Sequence, residues 1–415
     1  MTTSNGRMAI KRPDPARWLR ATNDITQQFL AFGGRADVVS LAGGLPAAEL
    51  YPIAAIQKAA RRALDTHGAA ALEYGAVEGF PALRRLIAAR VAAETGGVFT
   101  AANVLLTTGA MQGLDLLGKV LIDPGDPIVA QAPTYLGALD AWRPRAPAYA
   151  RLDWEMPDVE TLAKAKFVYA VPNYSNPTGV LVPQDRRAAL LETVRAAGTW
   201  LVEDDPYLTM QLDGPPGRSI LAHDVARGRG AYDGPVIYLG TVSKSLVPGL
   251  RVGWVIAAPE MIRNLTLAKQ ATDLSSSMFT QAVALDLLER DFDRQHSEAI
   301  VPVYRERRDA LCSEAALRLS EWFEWEVPPG GMFVWMRARN QAIDTDELYK
   351  FAVEEKVAFV PSSVFDFTGQ DRFAMRVNFT RSSPEVIREG VRRLGRAIDT
   401  YVSSRPQLIR AGRAD

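Results

Sequence analysis

The sequence predicts an α/β protein: a mostly parallel central sheet with helices on both faces, followed by a smaller α+β domain. Three observations lead there. Short, continuous apolar runs alternate with amphipathic helical stretches, the pattern of strands buried on both faces. Polar, glycine-rich motifs sit just after those runs, where ligands bind at the carboxyl ends of parallel strands. After about Arg294 the alternation gives way to a long charged helix and hairpin-like strands, which suits a separate packed layer.

Taken in order, the residues up to about Arg35 are polar and weakly patterned, which predicts an arm with a short helix. The paired glycines of Ser40-Leu-Ala-Gly-Gly-Leu-Pro46 permit close backbone approach. A helix is expected over Ile53–His67 with Gly68 as its stop, then a glycine-rich loop from Leu72 to Gly79, then a helix over Pro81–Glu94 with proline in its first turn. Strands are expected at Val104–Thr108, Pro127–Gln131, Lys166–Val171, Thr199–Glu203, Pro235–Gly240 and Val252–Ala257. Helices should lie between them from Gly109 to about Ile122 and over Arg186–Ala197. The last part should hold helices at Tyr304–Trp322, Asp346–Glu355 and Pro384–Tyr401 around strands at Gly330–Met336, Val357–Pro361 and Phe373–Phe379, with a polar mobile tail beyond Ser403. The expected division is 1–50 as arm and part of the small domain, 51–295 as the large domain, and 296–415 as the small one.

The bulk numbers exclude several classes. The chain has 415 residues, 47% apolar and 23% charged, which suits a large domain with a smaller companion. Zero formal charge provides no field for nucleic acid or an anionic membrane. The N-terminus lacks the apolar core of a signal peptide, and no apolar run approaches a bilayer span, so a cytoplasmic location is expected. One cysteine, Cys312, forbids an internal disulfide. Gly113–Val120 nearly matches a phosphate-binding loop, but it lacks the final hydroxyl and falls inside a helical pattern. Gly228-Arg-Gly230 follows no strand, and His67, His223 and His296 have no metal-ligand spacing, so no metal is expected.

What remains is a set of residues at strand ends. Lys244 follows the apolar run Val236–Gly240 and a hydroxylic segment, with Arg251 seven residues later. Asn176-Pro-Thr-Gly179 and Asp204-Asp-Pro-Tyr207 follow two neighbouring strands, and Gly109-Ala-Met111 opens a helix, where free amides can hold a phosphate. In an extended chain Asp204 and Asp205 point to opposite sides.

These motifs, in this order, resemble the fold-type I pyridoxal-phosphate-dependent aminotransferases (class I/II), and within them the 2-aminoadipate and kynurenine aminotransferases. The aminotransferase-like halves of related transcription regulators are similar too. The resemblance runs from Leu41 to about Tyr401. It implies that Lys244 carries pyridoxal 5'-phosphate as a Schiff base and moves the substrate proton, that Asp204 keeps the pyridine nitrogen protonated, and that Asn176 and Tyr207 donate to the phenolate oxygen. It further implies a phosphate held by Gly109, Ala110, Met111, Thr241, Ser243 and Arg251, although Ala110-Met111 replaces a Ser-Gln pair frequent in relatives. Tyr135 would stack on the ring, Tyr74 would reach the phosphate of a second subunit in a homodimer with shared sites, and Arg376 would clamp the substrate carboxylate beside Gly43, Gly44 and Asn176.

The implied reaction is transfer of an amino group from an L-amino acid to a 2-oxo acid, 2-oxoglutarate or pyruvate, by a ping-pong mechanism in the cytoplasm, without nucleic-acid or membrane partners. A lyase, racemase or decarboxylase on the same fold is the alternative. A non-enzymatic regulator is disfavoured because only about forty residues precede the matching motif. Side-chain preference stays open: Arg20 is a candidate second arginine for acidic substrates, but Asn23 and Asp24 occupy the positions reached by counting back from Ser40, and the aromatics of the small domain suit either apolar or aromatic donors or a core role.

Overall fold

The computed structural model describes residues 14, 16–20, 32, 35, 37–214, 217–228 and 230–405. Asn23, Asp24 and the tail from 406 lie outside the described residues, and of the arm a helical turn at Arg17–Arg20 is described.

The strands run β1 (Val39–Ser40), β2 (Val104–Thr107), β3 (Pro127–Ala130), β4 (Ala148–Arg151), β5 (Phe167–Ala170), β6 (Trp200–Asp204), β7 (Val236–Thr241), β8 (Gly253–Ile256), β9 (Phe323–Glu324), β10 (Phe333–Ala338), β11 (Val357–Ala358), β12 (Val360–Pro361) and β13 (Ala374–Asn378). A seven-stranded sheet has the order β2-β8-β7-β6-β5-β3-β4. Its β4, β3, β5, β6 and β7 are parallel, while β8 runs antiparallel between β7 and β2. The four-stranded sheet β12-β13-β10-β9 is separate and antiparallel.

β5 and β6 are buried almost throughout, as strands covered on both faces must be. On one face the helix Pro81–Thr95 lays down Leu83, Ile87 and Val91 at four-residue spacing over Val104 and Leu106. Each such side chain contributes about 1.5–3 kcal/mol on burial. The helix Ala110–Leu121 covers the other face through Leu114 and Leu117, and Trp142 packs its ring edge-on to Phe167 and Tyr169. The last helix, Pro384–Ser403, turns Ile387, Val391, Leu394 and Ile398 into the core, against the helix Phe292–Arg318.

Several elements differ from expectation. The long helix begins at Phe292, not Tyr304, and carries Pro302 inside it; it ends at Arg318 rather than Trp322. The run Val357–Pro361 is two strands, β11 pairing with β1 and β12 with β13. β4 is a half-exposed edge strand without the apolar run that marks its neighbours. The helices Leu136–Trp142, Val159–Lys164, Ile220–Val225, Pro259–Asp273 and Met278–Glu289 also lie outside the expected set. Among the described residues no helix is long and apolar enough to cross a membrane.

Candidate active site

The carboxyl ends of β3, β5, β6 and β7 open into a cavity of about 640 Å³, closed from the other side by Ala42–Leu45, Val360, Phe365 and Arg376. Lys244, Asp204, Tyr207, Asn176, Tyr135 and Arg376 all line it. So do Thr241, Ser243, Arg251, Ala110, Met111, Gly43 and Gly44. Gly109 is the N-cap immediately before that lining. Tyr74 stands apart: it is 79% exposed and outside its own cavity. Arg20 ends the Arg17–Arg20 turn, and its side chain lies outside what the structure describes.

β6 delivers Asp204 at its last position, and pleat alternation sends Glu203 and Asp205 to the other face. There Glu203 accepts the backbone N–H groups of Ile220 and Leu221, and Asp205 accepts Asn173 Nδ2 at 2.9 Å and Tyr238 OH at 3.2 Å. Burial raises both carboxyls above the usual range. Asp204 Oδ2 accepts the Tyr169 hydroxyl at 2.8 Å, while Oδ1 is buried without any partner. A buried, orphaned carboxylate oxygen is unfavourable unless something cationic or hydrogen-bonding meets it. Burial accordingly lifts Asp204 to about 6.

Lys244 follows β7 in a turn, not a helix. Its Nζ donates to Gly44 O at 2.9 Å, and among the described residues no carboxylate pairs with it. Enclosure by the cavity wall, then the nearby guanidiniums of Arg376 and Arg251, push its pKa down to about 8. A substantial neutral fraction near physiological pH is what a nucleophilic amine requires.

The expected phosphate end is built from three elements. Gly109 has φ +80°, a conformation that favours glycine, and a Cβ there would lie 2.6 Å from Arg251 Nη2 and displace that guanidinium. The chain leaves β7 at Thr241, reverses, and returns as β8 with Thr241 paired to Gly253. Within that reversal Thr241 Oγ1 and Ser243 Oγ lie 2.8 Å apart, and Arg251 donates to Thr108 O at 3.2 Å. A Cβ on Gly253 would reach within 2.8 Å of the Gly109 backbone, so β8 and the helix start are pressed together. Free amides at Ala110 and Met111, two hydroxyls and a permanent cation suit a phosphate.

At the opposite end β13 places Arg376 between the rings of Phe333 and Phe365, 4.2 and 4.8 Å from their centroids. Its Nη1 donates to Asn176 Oδ1 and its Nη2 to Ala42 O, both at 2.7 Å, while Nε is buried and unpartnered. Burial lowers Arg376 to about 10. Burial likewise lifts the Tyr135 phenol to about 12 and pushes Tyr207 still higher, so both are hydroxyl donors at neutral pH. Among the described residues no cluster of three metal-ligating side chains occurs. The residues therefore fit a flat, phosphorylated pyridine: a phosphate cup, an amine, a carboxylate oxygen awaiting a proton, and phenol and amide donors between them.

Sequence reasoning missed Tyr169, whose contact with Asp204 depends on the β5–β6 register, and the rings of Phe333 and Phe365. It also missed Arg381, which lines the cavity near Gly43.

The family model for aminotransferase class I and II matches residues 36–394. The chain is 38% identical over 385 residues to aromatic-amino-acid aminotransferase 1 of Thermococcus litoralis, covering 90% of each. A kynurenine aminotransferase of Pyrococcus horikoshii superposes with a TM-score of 0.84 at 34% identity, over 92% of this chain and 95% of that one. LysN, an α-aminoadipate aminotransferase of Thermus thermophilus crystallised with N-(5'-phosphopyridoxyl)-L-leucine, superposes with a TM-score of 0.81 at 35% identity, over 94% and 100%. The chain belongs to the class I and II aminotransferases and is a pyridoxal-phosphate-dependent transaminase.

Proposed function

We propose that this transaminase passes the amino group of an L-amino acid to 2-oxoglutarate or pyruvate by a ping-pong sequence, both partners using the same cavity in turn. The observation that carries this is Lys244, an enclosed amine whose burial lowers its pKa, lining the same cavity as an enclosed guanidinium, Arg376, and Asp204, whose Oδ1 has no partner. Bound pyridoxal phosphate supplies an aldehyde carbon that takes up an amine and a ring that delocalises the electron pair left at Cα.

The chain's own groups do the rest. Ala110 and Met111 amides, Thr241, Ser243 and Arg251 hold the phosphate, with Gly109 giving the space. Asp204 Oδ1 fixes a proton on the pyridine nitrogen, which keeps the ring electron-poor, and Tyr169 holds that carboxylate in place. Asn176 and Tyr207 donate to the phenolate oxygen, and Tyr135 covers the ring face. Arg376 takes the substrate α-carboxylate in two parallel hydrogen bonds and so fixes the plane of Cα. Lys244 Nζ, neutral part of the time, removes the Cα proton.

The working unit in this reading is a homodimer. Tyr74 supports it: a tyrosine 79% exposed, beside the 72%-exposed Leu72, makes an apolar projection suited to a second copy of the chain.

The test uses the cofactor-loaded protein and one amino acid, without acceptor. Conversion of the cofactor to its pyridoxamine form with release of one equivalent of 2-oxo acid is expected. A cofactor that stays in the aldehyde form across a broad panel of L-amino acids, while carbon dioxide, ammonia or racemised substrate accumulates, would replace transamination by the lyase or racemase reading.

A further inference from the structure

Arg381 is the cation of this cavity that the reading above leaves unused. It stands five residues beyond Arg376, where the chain leaves β13, and its backbone N–H donates to Asn378 Oδ1 at 3.1 Å. Its guanidinium lines the cavity but makes no side-chain hydrogen bond or ion pair with any described residue. That is unusual among its neighbours: Arg307 pairs with Glu49, and Arg308 with Asp213 and Asp309.

The segment Ala42–Gly44 arranges three cations in sequence. Ala42 O accepts Arg376 Nη2 at 2.7 Å, and Gly44 O accepts Lys244 Nζ at 2.9 Å. Between them, the position a Cβ would take on Gly43 lies 3.5 Å from Arg381 Nη1. Successive Cα atoms are about 3.8 Å apart, so the contacts of all three cations fall along roughly 8 Å of chain. Lys244, Arg251, Arg376 and Arg381 line the cavity against Asp140 and Asp204. Asp140 is already paired with Arg143, and Asp204 is held by Tyr169 at the cavity floor. With phosphate on Arg251, α-carboxylate on Arg376 and the cofactor on Lys244, Arg381 is the lining cation among the described residues left without an assigned anion, and a second carboxylate on the substrate would supply one.

We propose that Arg381 binds the side-chain carboxylate of a dicarboxylic substrate, so that the 2-oxo acid partner is a dicarboxylate, 2-oxoglutarate rather than pyruvate. The inference rests on the transaminase reading for the roles of Lys244 and Arg376. A guanidinium receives a carboxylate through two parallel hydrogen bonds, and a monocarboxylate leaves that fork unfilled. Leu45 and Leu136 on the cavity wall suit the methylenes between the two charged ends.

The experiment titrates cofactor-loaded protein with glutarate and with butyrate, following the cofactor absorbance, and separately measures kcat/KM for 2-oxoglutarate and pyruvate. Wild type should prefer glutarate and 2-oxoglutarate. Arg381→Gln should lower that preference about 10–100-fold, the range for losing a charged hydrogen-bond pair, through KM rather than kcat. Arg381→Lys, which keeps the charge but not the fork, should fall between and serves if the glutamine variant does not fold. Arg376→Gln should weaken all four ligands together. An unchanged preference in Arg381→Gln, or an equal loss for mono- and dicarboxylates, overturns the proposal. Failure of the transaminase reading would show separately, as no pyridoxamine form with any amino acid, while the glutarate titration would still report on Arg381.

Discussion

Replacing Asp204 with asparagine separates what this side chain does to the fold from what it does for the cofactor. Burial raises its pKa from 3.8 to about 6, against the pull of the Tyr169 hydroxyl. A carboxyl raised in the folded state binds its proton more tightly folded than unfolded. The associated stability is complete below about 3.8 and lost as pH rises through about 6. That interval corresponds to about 3 kcal/mol missing from the cofactor-free protein at pH 7.5. Asparagine has nearly the same shape, carries no charge, and can still accept from Tyr169. Cofactor-free Asp204→Asn should therefore be more stable than wild type by up to about 3 kcal/mol in urea at pH 7.5. The gain should shrink towards zero near pH 4. Adding pyridoxal phosphate should reverse the order, because the pyridine proton meets Oδ1 only in wild type, and transamination by the variant should fall by ~100-fold or more. A variant less stable than wild type at pH 7.5, or a gain that does not change between pH 4 and pH 8, refutes this reasoning.

Lys244 in the cofactor-free protein should react with an amine-directed reagent with a midpoint near pH 8, and Arg376→Gln should move that midpoint upward by removing a neighbouring positive charge; peptide mapping of the labelled lysine against pH reads both. Gly109→Ala forces a methyl group to 2.6 Å from Arg251 Nη2 at φ +80°. Cofactor affinity should fall by about 10-fold or more, by the energy of one strained residue and a displaced cation, and an unchanged dissociation constant would remove Gly109 from the phosphate site. If Tyr74 serves a partner's site, mixing Lys244→Ala with Tyr74→Ala protein should give more activity than the sum of the two, because one site of each mixed dimer is intact; strictly additive activity argues against shared sites.

Much of the large sheet was legible because burial on both faces forces apolar runs, and the chemistry begins where those runs stop. β6 and β7 are clear cases: each ends in a motif, at Asp204 and at Thr241–Lys244. Strand direction was not legible, since β8 has the same apolar run whichever way it lies. The edge strand β4 was missed because half-exposure removes the run itself, and the long helix was shortened because Pro302 reads as a break although the helix continues through it. Most of the expected residues that line the cavity follow strand ends, while Arg376 sits within β13. Tyr169 and Arg381 escaped because their contacts come from packing between segments remote in the chain: β5 against β6 for one, the turn after β13 against Ala42–Gly44 for the other.

The reversal between β7 and β8 has a consequence for how this chain can vary. Thr241 and Gly253 are locked opposite each other, so the eleven positions between them form a loop of fixed span. Lys244 and Arg251 are carried on that one loop, and the cofactor they would hold in the proposed site has an unvarying length from aldehyde to phosphate. The loop thus acts as a caliper. Residues in it that face solvent can be exchanged, but inserting or deleting even one would change the gap between its jaws.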